Sequence, residues 1–145
     1  MHYNIYCNQK NISTHHRAAI AEFEKRLSAY CETTLHLSSH HTVLKDIPVT
    51  KQPLVRICPG PSTYSSEEFA QVINNIQLSG QSTVHIIIGF SDEDFYESFA
   101  NEINPYKILP LSLSRSQFSS ETQTLLFYEQ LYRGYTILQG KTYHK

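Results

Sequence analysis

The hydrophobic pattern of the chain alternates between strand-like and helix-like segments. Strand-like patterns occupy residues 2–7, 33–37, 54–58, 84–89 and 108–111. Between them, apolar residues recur at helical spacing in segments that begin near residues 13, 65, 92 and 119. This alternation predicts an α/β fold with a mostly parallel sheet flanked by helices.

Capping residues place the helix starts more closely. Ser13 or Thr14 is suited to cap the first helix, and Ser119 the last. Ser65 is followed three residues later by Glu68, which predicts a capping box at the second helix.

Two further segments, residues 38–53 and 92–100, have patterns that predict a loop and a short helix. Residues 38–53 are mostly polar and contain Pro48 and Pro53, which predicts a surface loop. Residues 92–100 predict a short helix with Phe95, Tyr96 and Phe99 turned inward.

The last helix, up to about Gln139, has almost no purely polar face. Such a helix is buried on several sides, which favours one side against the sheet and another against a partner subunit; the alternative is a fully internal helix. Gly134 within it indicates either close approach of another backbone or a tolerated defect. Gly140 marks its stop.

Composition limits the class of protein. A length of 145 residues suits one domain, residues 1–145, and 40% hydrophobic with 17% charged residues argues against disorder. No apolar run approaches the roughly 20 residues of a membrane span, and the N-terminus has no signal-peptide pattern. Three scattered cysteines favour a reducing compartment. We therefore expect a cytoplasmic protein without a membrane partner.

The carboxyl ends of the predicted strands are the expected ligand site, because ligands of parallel sheets gather there. These ends are residues 57–61, 89–94 and 111–118. The formal net charge of −1 means that any binding to RNA must rest on local basic patches.

The C-terminal quarter carries a specific set of motifs in order. They are the LSLS stretch at 111–114, the run Glu129-Gln130-Leu131-Tyr132-Arg133, Gly140, and the terminal Tyr143-His144-Lys145. Together they closely resemble the RlmH family of SPOUT-class methyltransferases. Weaker resemblance extends upstream through residues 21–27, residues 65–70 and Lys10, and so spans nearly the whole chain.

The resemblance implies a SPOUT-type α/β knot, in which the C-terminal segment forms a trefoil knot, and a homodimer. It also implies methylation of N3 of a pseudouridine in 23S ribosomal RNA with S-adenosylmethionine, so the ribosome is the expected partner. The family's cofactor contacts carry over to Ile57, Gly89, Leu113, Ser114, Arg115, Ser116, Gln117 and Phe118.

Within the resemblance, three residues are candidates for catalysis. His144 is the candidate base for the N3 proton, since histidine titrates near neutral pH, or it orients the target; a frayed terminal residue is the alternative. Tyr143 can stack on the base. Arg133 can bind phosphate or the cofactor carboxylate, or form an interface ion pair. Lys10, Lys141 and Lys145 are the candidate RNA contacts.

Two alternatives stay open. Gly89 is followed by Phe90, Ser91 and three acidic residues, where family members carry further glycines. This difference favours a catalytically silent SPOUT dimer that binds RNA or a protein partner. The near-zero charge fits a small-molecule-binding regulatory domain, which would leave the C-terminal motifs unexplained.

Two histidine pairs do not predict a metal site. Adjacent side chains, as in His15-His16 and His40-His41, point apart, and the sequence shows no accompanying ligand framework. We expect them to be solvated and the protein to need no metal.

Overall fold

The computed structural model describes residues 1–49, 51–99 and 108–143. Within these residues five parallel strands form one sheet in the order β2-β1-β4-β3-β5. The strands are β1 (His2–Cys7), β2 (Glu32–Leu37), β3 (Leu54–Ile57), β4 (Thr83–Ile88) and β5 (Ile108–Leu111). The helices are α1 (Thr14–Leu27), α2 (Ser66–Leu78), α3 (Asp92–Phe99) and α4 (Ser120–Leu138). The predicted α/β class with a parallel sheet is confirmed.

The helices begin where the capping residues predict. Ser13, not Thr14, caps α1, because its hydroxyl accepts a hydrogen bond from the backbone N–H of His16. At α2 both hydrogen bonds of the capping box between Ser65 and Glu68 are present. Ser119 caps α4, and Gly140 stops it with a φ of +65°.

The strand register brings the carboxyl ends together. Ile88 of β4 lies beside Cys7 of β1 on one side and beside Ile57 of β3 on the other. Ile57 in turn lies beside Leu111 of β5. The loops that follow these four strands therefore start at one edge of the sheet.

The first face of the sheet is covered by α1, α2 and α4, with α4 between the other two helices. Its apolar core includes Ile5, Ile86, Phe127, Tyr128 and Leu131, all 2% exposed or less. The core explains why β4, in the middle of the sheet, is almost wholly apolar.

The second face is covered by α3 and by residues 43–49, so the prediction of a surface loop over 38–53 is wrong for this part. The segment 38–53 contains a 3₁₀ helix, His41–Asp46, and buries Leu44, Ile47 and Val49 against Phe95 and Phe99. Its few apolar residues are enough to close this side of the core. Tyr96, expected to point inward, is 63% exposed.

Helix α4 is at least partly buried along its whole length within one chain. The close approach expected at Gly134 is present: a Cβ there would lie 2.7 Å from Cδ1 of Ile73 and 3.6 Å from the Cα of Ala70 in α2. Packing between α1 and α2 therefore accounts for much of the apolar character of α4, and its role in a dimer stays a prediction. Among the described residues, none of the helices is both long and apolar enough to cross a membrane.

Candidate functional site

A narrow apolar slot lies where the loops after β3 and β5 meet the start of α4. Ile57, Leu113, Ser114, Ser116, Phe118 and Leu126 line it. Phe118 remains 41% exposed, which leaves one wall of the slot open to a ligand.

A polar cleft of about 450 Å³ adjoins the slot and shares Ile57 and Gln123 with it. Gly89, Asn8 and Gln117 line the cleft, together with the charged residues Arg56, Asp92 and Asp94. This volume lies within the range of small-molecule sites. The slot and cleft together offer an apolar compartment beside a polar one.

Backbone hydrogen bonds fix the loops after β3 and β5 to each other. The N–H of Cys58 donates to the carbonyl of Leu111, that of Gly60 to Ser114, and that of Tyr64 to Ser112. A Cβ at Gly60 would lie 2.7 Å from the Ser112 hydroxyl oxygen, so glycine permits this close approach. The slot is thus built on paired backbone.

The loop after β1 is joined to the start of α4 by side chains. The side-chain amide of Gln9 donates a hydrogen bond of 3.1 Å to the Glu121 carboxylate. The backbone N–H of Glu121 donates one of 3.1 Å to the side-chain carbonyl of Gln9. Glu121 also accepts a hydrogen bond of 2.8 Å from the backbone N–H of Ser13. These contacts fix the start of α4 against the loop after β1.

A second cluster lies toward the far end of α4. The guanidinium of Arg133 donates two hydrogen bonds to one carboxylate oxygen of Glu129, at 3.0 and 2.7 Å. It also lies 5.1 Å from the centre of the Tyr143 ring. The Tyr143 hydroxyl donates to the same Glu129 oxygen at 3.2 Å. Glu129 therefore organises both candidate residues.

Titration of this cluster is shifted in a consistent direction. The pKa of Arg133 is raised, chiefly by its hydrogen bond to Glu129. The pKa of Tyr143 is raised, first by burial and then by the charge of Glu129. Arg133 thus stays a cation and Tyr143 a neutral donor near neutral pH.

The match to a family model extends over residues 1–144, and the model describes a predicted SPOUT methyltransferase. The chain belongs to the SPOUT methyltransferase family. It is 29% identical to ribosomal RNA large subunit methyltransferase H 1 of Thermoanaerobacter sp. (strain X514) over the full length of both chains. It is 31% identical to ribosomal RNA large subunit methyltransferase H of Clostridium botulinum (strain Okra / Type B1), over 89% of this chain and 90% of that protein.

A relative from Flavobacterium psychrophilum, also named ribosomal RNA large subunit methyltransferase H, is 30% identical over 94% of this chain and 92% of its own. The predicted family is confirmed, and with it a SPOUT fold that works with a methyl donor. The family and the names of these relatives do not favour the catalytically silent alternative. The trefoil knot remains a prediction.

The SPOUT fold brings most of the predicted cofactor residues together. Ile57, Leu113, Ser114, Ser116 and Phe118 line the slot, and Gly89 and Gln117 line the cleft. Arg115 differs: it is exposed and lies beside Pro59, Gly60 and Pro61 on the outer side of the loop. That these residues bind a cofactor stays a prediction.

The predicted catalytic and RNA-binding residues are spread along the molecule. Arg133 and Tyr143 share the Glu129 cluster, and Lys141 lies nearby on Tyr30, with its ammonium 2.6 Å from the phenol oxygen. Lys10 is exposed on the loop after β1, at the cleft end of the sheet. His144 and Lys145 lie outside the described residues.

Sequence reasoning missed four residues at the two clusters: Asn8, Arg56, Gln123 and Glu129. Asn8 directly follows β1, so the rule that found the other strand ends would also have found it. Arg56 lies inside β3, so the strand-end rule does not point to it. Glu129 stands four residues before Arg133 on a helix, the spacing of an ion pair.

The histidine pairs are less simple than expected. His41 lies 3.6 Å from Asp94 and 3.8 Å from Glu97, and one donor atom from each of the three lies within 4.8 Å of the others. The expectation that no acidic residues accompany this histidine is therefore wrong. These residues are distant in sequence and meet because α3 packs on the 3₁₀ helix. Their polar contacts join the two elements.

Proposed function

We propose that this SPOUT protein transfers a methyl group from S-adenosylmethionine to N3 of a pseudouridine in 23S ribosomal RNA, in the cytoplasm. The observation that carries the proposal is the pairing of an apolar slot with a polar cleft at the strand ends. The names of three relatives, aligned over at least 89% of this chain, supply the class of substrate.

The residues present suit the cofactor. An adenine ring is flat and apolar with polar edges, and the slot offers Ile57, Leu113, Phe118 and a backbone-rich loop; its volume is about 10 Å³, so it must open to admit the ring. The amino-acid end is polar and carries both charges, and the cleft offers the polar side chains of Asn8, Gln117 and Gln123. The left-handed φ of +84° at Gly89 lets the backbone turn at the boundary between the two.

S-adenosylmethionine supplies an activated methyl group, so the protein must mainly orient the acceptor and accept its proton. Tyr143, whose hydroxyl is held by Glu129, is the residue proposed to stack on the target base. Arg133 retains its charge and is suited to a phosphate oxygen. His144, next to Tyr143 in sequence, is the proposed acceptor of the N3 proton.

The cleft and the Tyr143 cluster belong to opposite ends of α4. Gln123 lines the cleft, whereas Arg133 stands ten residues later on the same helix. Ten residues of α-helix span about 15 Å. The two clusters can meet around one methyl group only if they come from different subunits. We therefore propose a homodimer in which each cleft receives the C-terminal residues of the partner subunit.

The first experiment is calorimetric titration of the purified protein with S-adenosylmethionine. We expect binding at micromolar affinity, about −8 kcal/mol, which is lost on Ser116→Trp, at an exposed position that lines the slot. If the folded wild-type protein shows no detectable binding, the cofactor assignment is wrong and the catalytically silent, RNA-binding alternative is favoured.

The second experiment tests the shared site by mixing two inactive variants. Ser116→Trp, at an exposed position that lines the slot, blocks the cofactor site, and Tyr143→Ala disrupts the C-terminal tail around Tyr143. In mixed dimers one intact cleft meets one intact tail, so co-refolding equal amounts should restore about a quarter of wild-type sites. If both clusters act within one chain, the mixture stays as inactive as either variant alone.

A third comparison addresses the substrate. A single small domain has little surface for reading an RNA sequence, so we propose that it recognises the shape of the assembled ribosome, with Lys10, Lys141 and Lys145 on phosphates. Methyl transfer to ribosomes should exceed transfer to protein-free 23S RNA. Equal transfer to both would refute recognition of the assembled particle.

A further inference from the structure

Arg56 is a half-buried charged side chain between the apolar core under α3 and the polar cleft. Along β3, Val55 and Ile57 face the core beneath the helices α1, α2 and α4, while Leu54 faces the core closed by α3. Alternation places Arg56 on the same side as Leu54. Its side chain is only 15% exposed, so its charge must be satisfied by specific partners.

Three contacts satisfy the guanidinium at once. One nitrogen, Nη2, donates a hydrogen bond of 3.2 Å to the backbone carbonyl of Phe90 and lies 2.5 Å from a carboxylate oxygen of Asp92. The guanidinium carbon lies 4.7 Å from the centre of the Phe95 ring. A planar guanidinium can donate and stack at the same time, whereas a lysine ammonium cannot reproduce this arrangement.

These contacts bracket the turn that leads from β4 into α3. Phe90 and Asp92 lie on either side of Ser91, whose hydroxyl accepts a hydrogen bond from the backbone N–H of Asp94. The turn also forms one wall of the polar cleft. Arg56 therefore ties a wall of the cleft to a strand in the sheet.

We propose that Arg56 is a positioning residue for the cofactor: through Phe90 and Asp92 it holds residues 89–92 in the shape that the cleft requires. The proposal rests on the proposed function for its ligand. The proposal also accounts for Asp92 in the acidic turn, because its carboxylate forms an ion pair with Arg56. The side chain of Arg56 thus holds the turn in place.

The contacts differ in expected weight. Asp92 is 79% exposed, so solvent screens its ion pair and the pair alone contributes little. The bond to the Phe90 carbonyl and the stacking on Phe95 are enclosed, and their loss costs more. Arg56→Gln should therefore have a larger effect than Asp92→Asn.

Hydrogen exchange without cofactor tests whether Arg56 holds the turn. In Arg56→Gln we expect faster exchange confined to residues 89–99, with exchange in β1 and α4 unchanged. Glu93→Gln, one residue beyond Asp92, is the matched control and should exchange like wild type. Unchanged exchange at the turn, or a uniform increase over the chain, would overturn the proposal.

Calorimetry with S-adenosylmethionine then tests the role in binding. We expect affinity to fall about tenfold in Arg56→Gln and about threefold in Asp92→Asn. The double variant should be no weaker than Arg56→Gln, because the two residues act as one unit. Arg56→Lys should recover only the part of the affinity that depends on charge.

Hydrogen exchange and calorimetry together distinguish a failure of the proposed function from a failure of the role of Arg56. Wild-type protein that does not bind S-adenosylmethionine overturns the proposed function, while the exchange data still decide whether Arg56 holds the turn. Wild-type affinity in Arg56→Gln overturns the positioning role even if the turn exchanges faster.

Discussion

The side-chain amide of Asn8 donates a hydrogen bond of 3.0 Å to the backbone carbonyl of Gly89, joining the ends of β1 and β4. A Cβ at Gly89 would clash with the hydroxyl oxygen of Ser120 and lie 3.5 Å from the Cβ of Asn8. Gly89 is thus enclosed by the first residue after β1 and the first residue of α4. The enclosure explains why this position has no room for a side chain.

Gly89→Ala should therefore destabilise the protein more than Gly80→Ala. Both glycines have a left-handed φ, +84° and +80°, but only Gly89 is crowded. The backbone conformation alone costs about 1–2 kcal/mol, and the clash with Ser120 should add about 1–3 kcal/mol. Urea unfolding measures both variants. Equal losses would show that Ser120 moves aside freely, and repeating Gly89→Ala in a Ser120→Gly background isolates the clash.

Glu129→Gln should lower kcat by roughly tenfold, since the bonds it makes to a charged guanidinium are worth about 1.5–3 kcal/mol. The affinity for S-adenosylmethionine should stay near wild type, because Glu129 acts on the acceptor through Arg133 and Tyr143 and does not line the cleft. Glu22→Gln is the control: Glu22 pairs with Arg26 at the same helical spacing but is 54% exposed. Equal kcat for Glu129→Gln and Glu22→Gln would remove Glu129 from the mechanism.

Gly134→Ala tests the packing of α4 on α2. Alanine favours a helix by about 1 kcal/mol over glycine, but its Cβ would lie 2.7 Å from Cδ1 of Ile73. Overpacking should cost about 1–3 kcal/mol, giving a net loss of stability. In an Ile73→Val background, which lacks that methyl group, the same change should be neutral or stabilising. A similar loss in both backgrounds would place the conflict elsewhere.

His85 should make stability depend on pH. Burial, followed by the charges of His2 and His36, lowers the pKa of His85 from 6.5 to about 4. The folded state thus favours neutral His85, and this contribution is complete above pH 6.5 and falls away as pH drops toward 4. Its loss should amount to as much as about 3 kcal/mol.

The pH dependence is measured by urea unfolding between pH 4 and 7. His85→Gln should flatten the curve relative to wild type, because other titrating groups are common to both proteins. His15→Gln, on the exposed face of α1, should leave the slope unchanged. A wild-type slope in His85→Gln would mean that another group causes the acid sensitivity.

Much of the fold followed from local pattern. The bounds of β1 and β5, the capping box at Ser65 and the stop at Gly140 agree with the prediction, because capping and side-chain periodicity depend on residues close in sequence. The segment 38–53 was misjudged because its few apolar residues are buried by α3, which no local pattern reveals.

The sequence by itself determined the order of strands and helices, the edge of the sheet where a ligand site belongs, and, through the C-terminal motifs, the family. Only the tertiary structure decided which residues meet there. Asn8 reaches Gly89, and Arg56 reaches Asp92, because parallel register places the ends of distant strands side by side. It also separated Tyr143 from the cleft, since both positions are fixed by the length of a rigid helix.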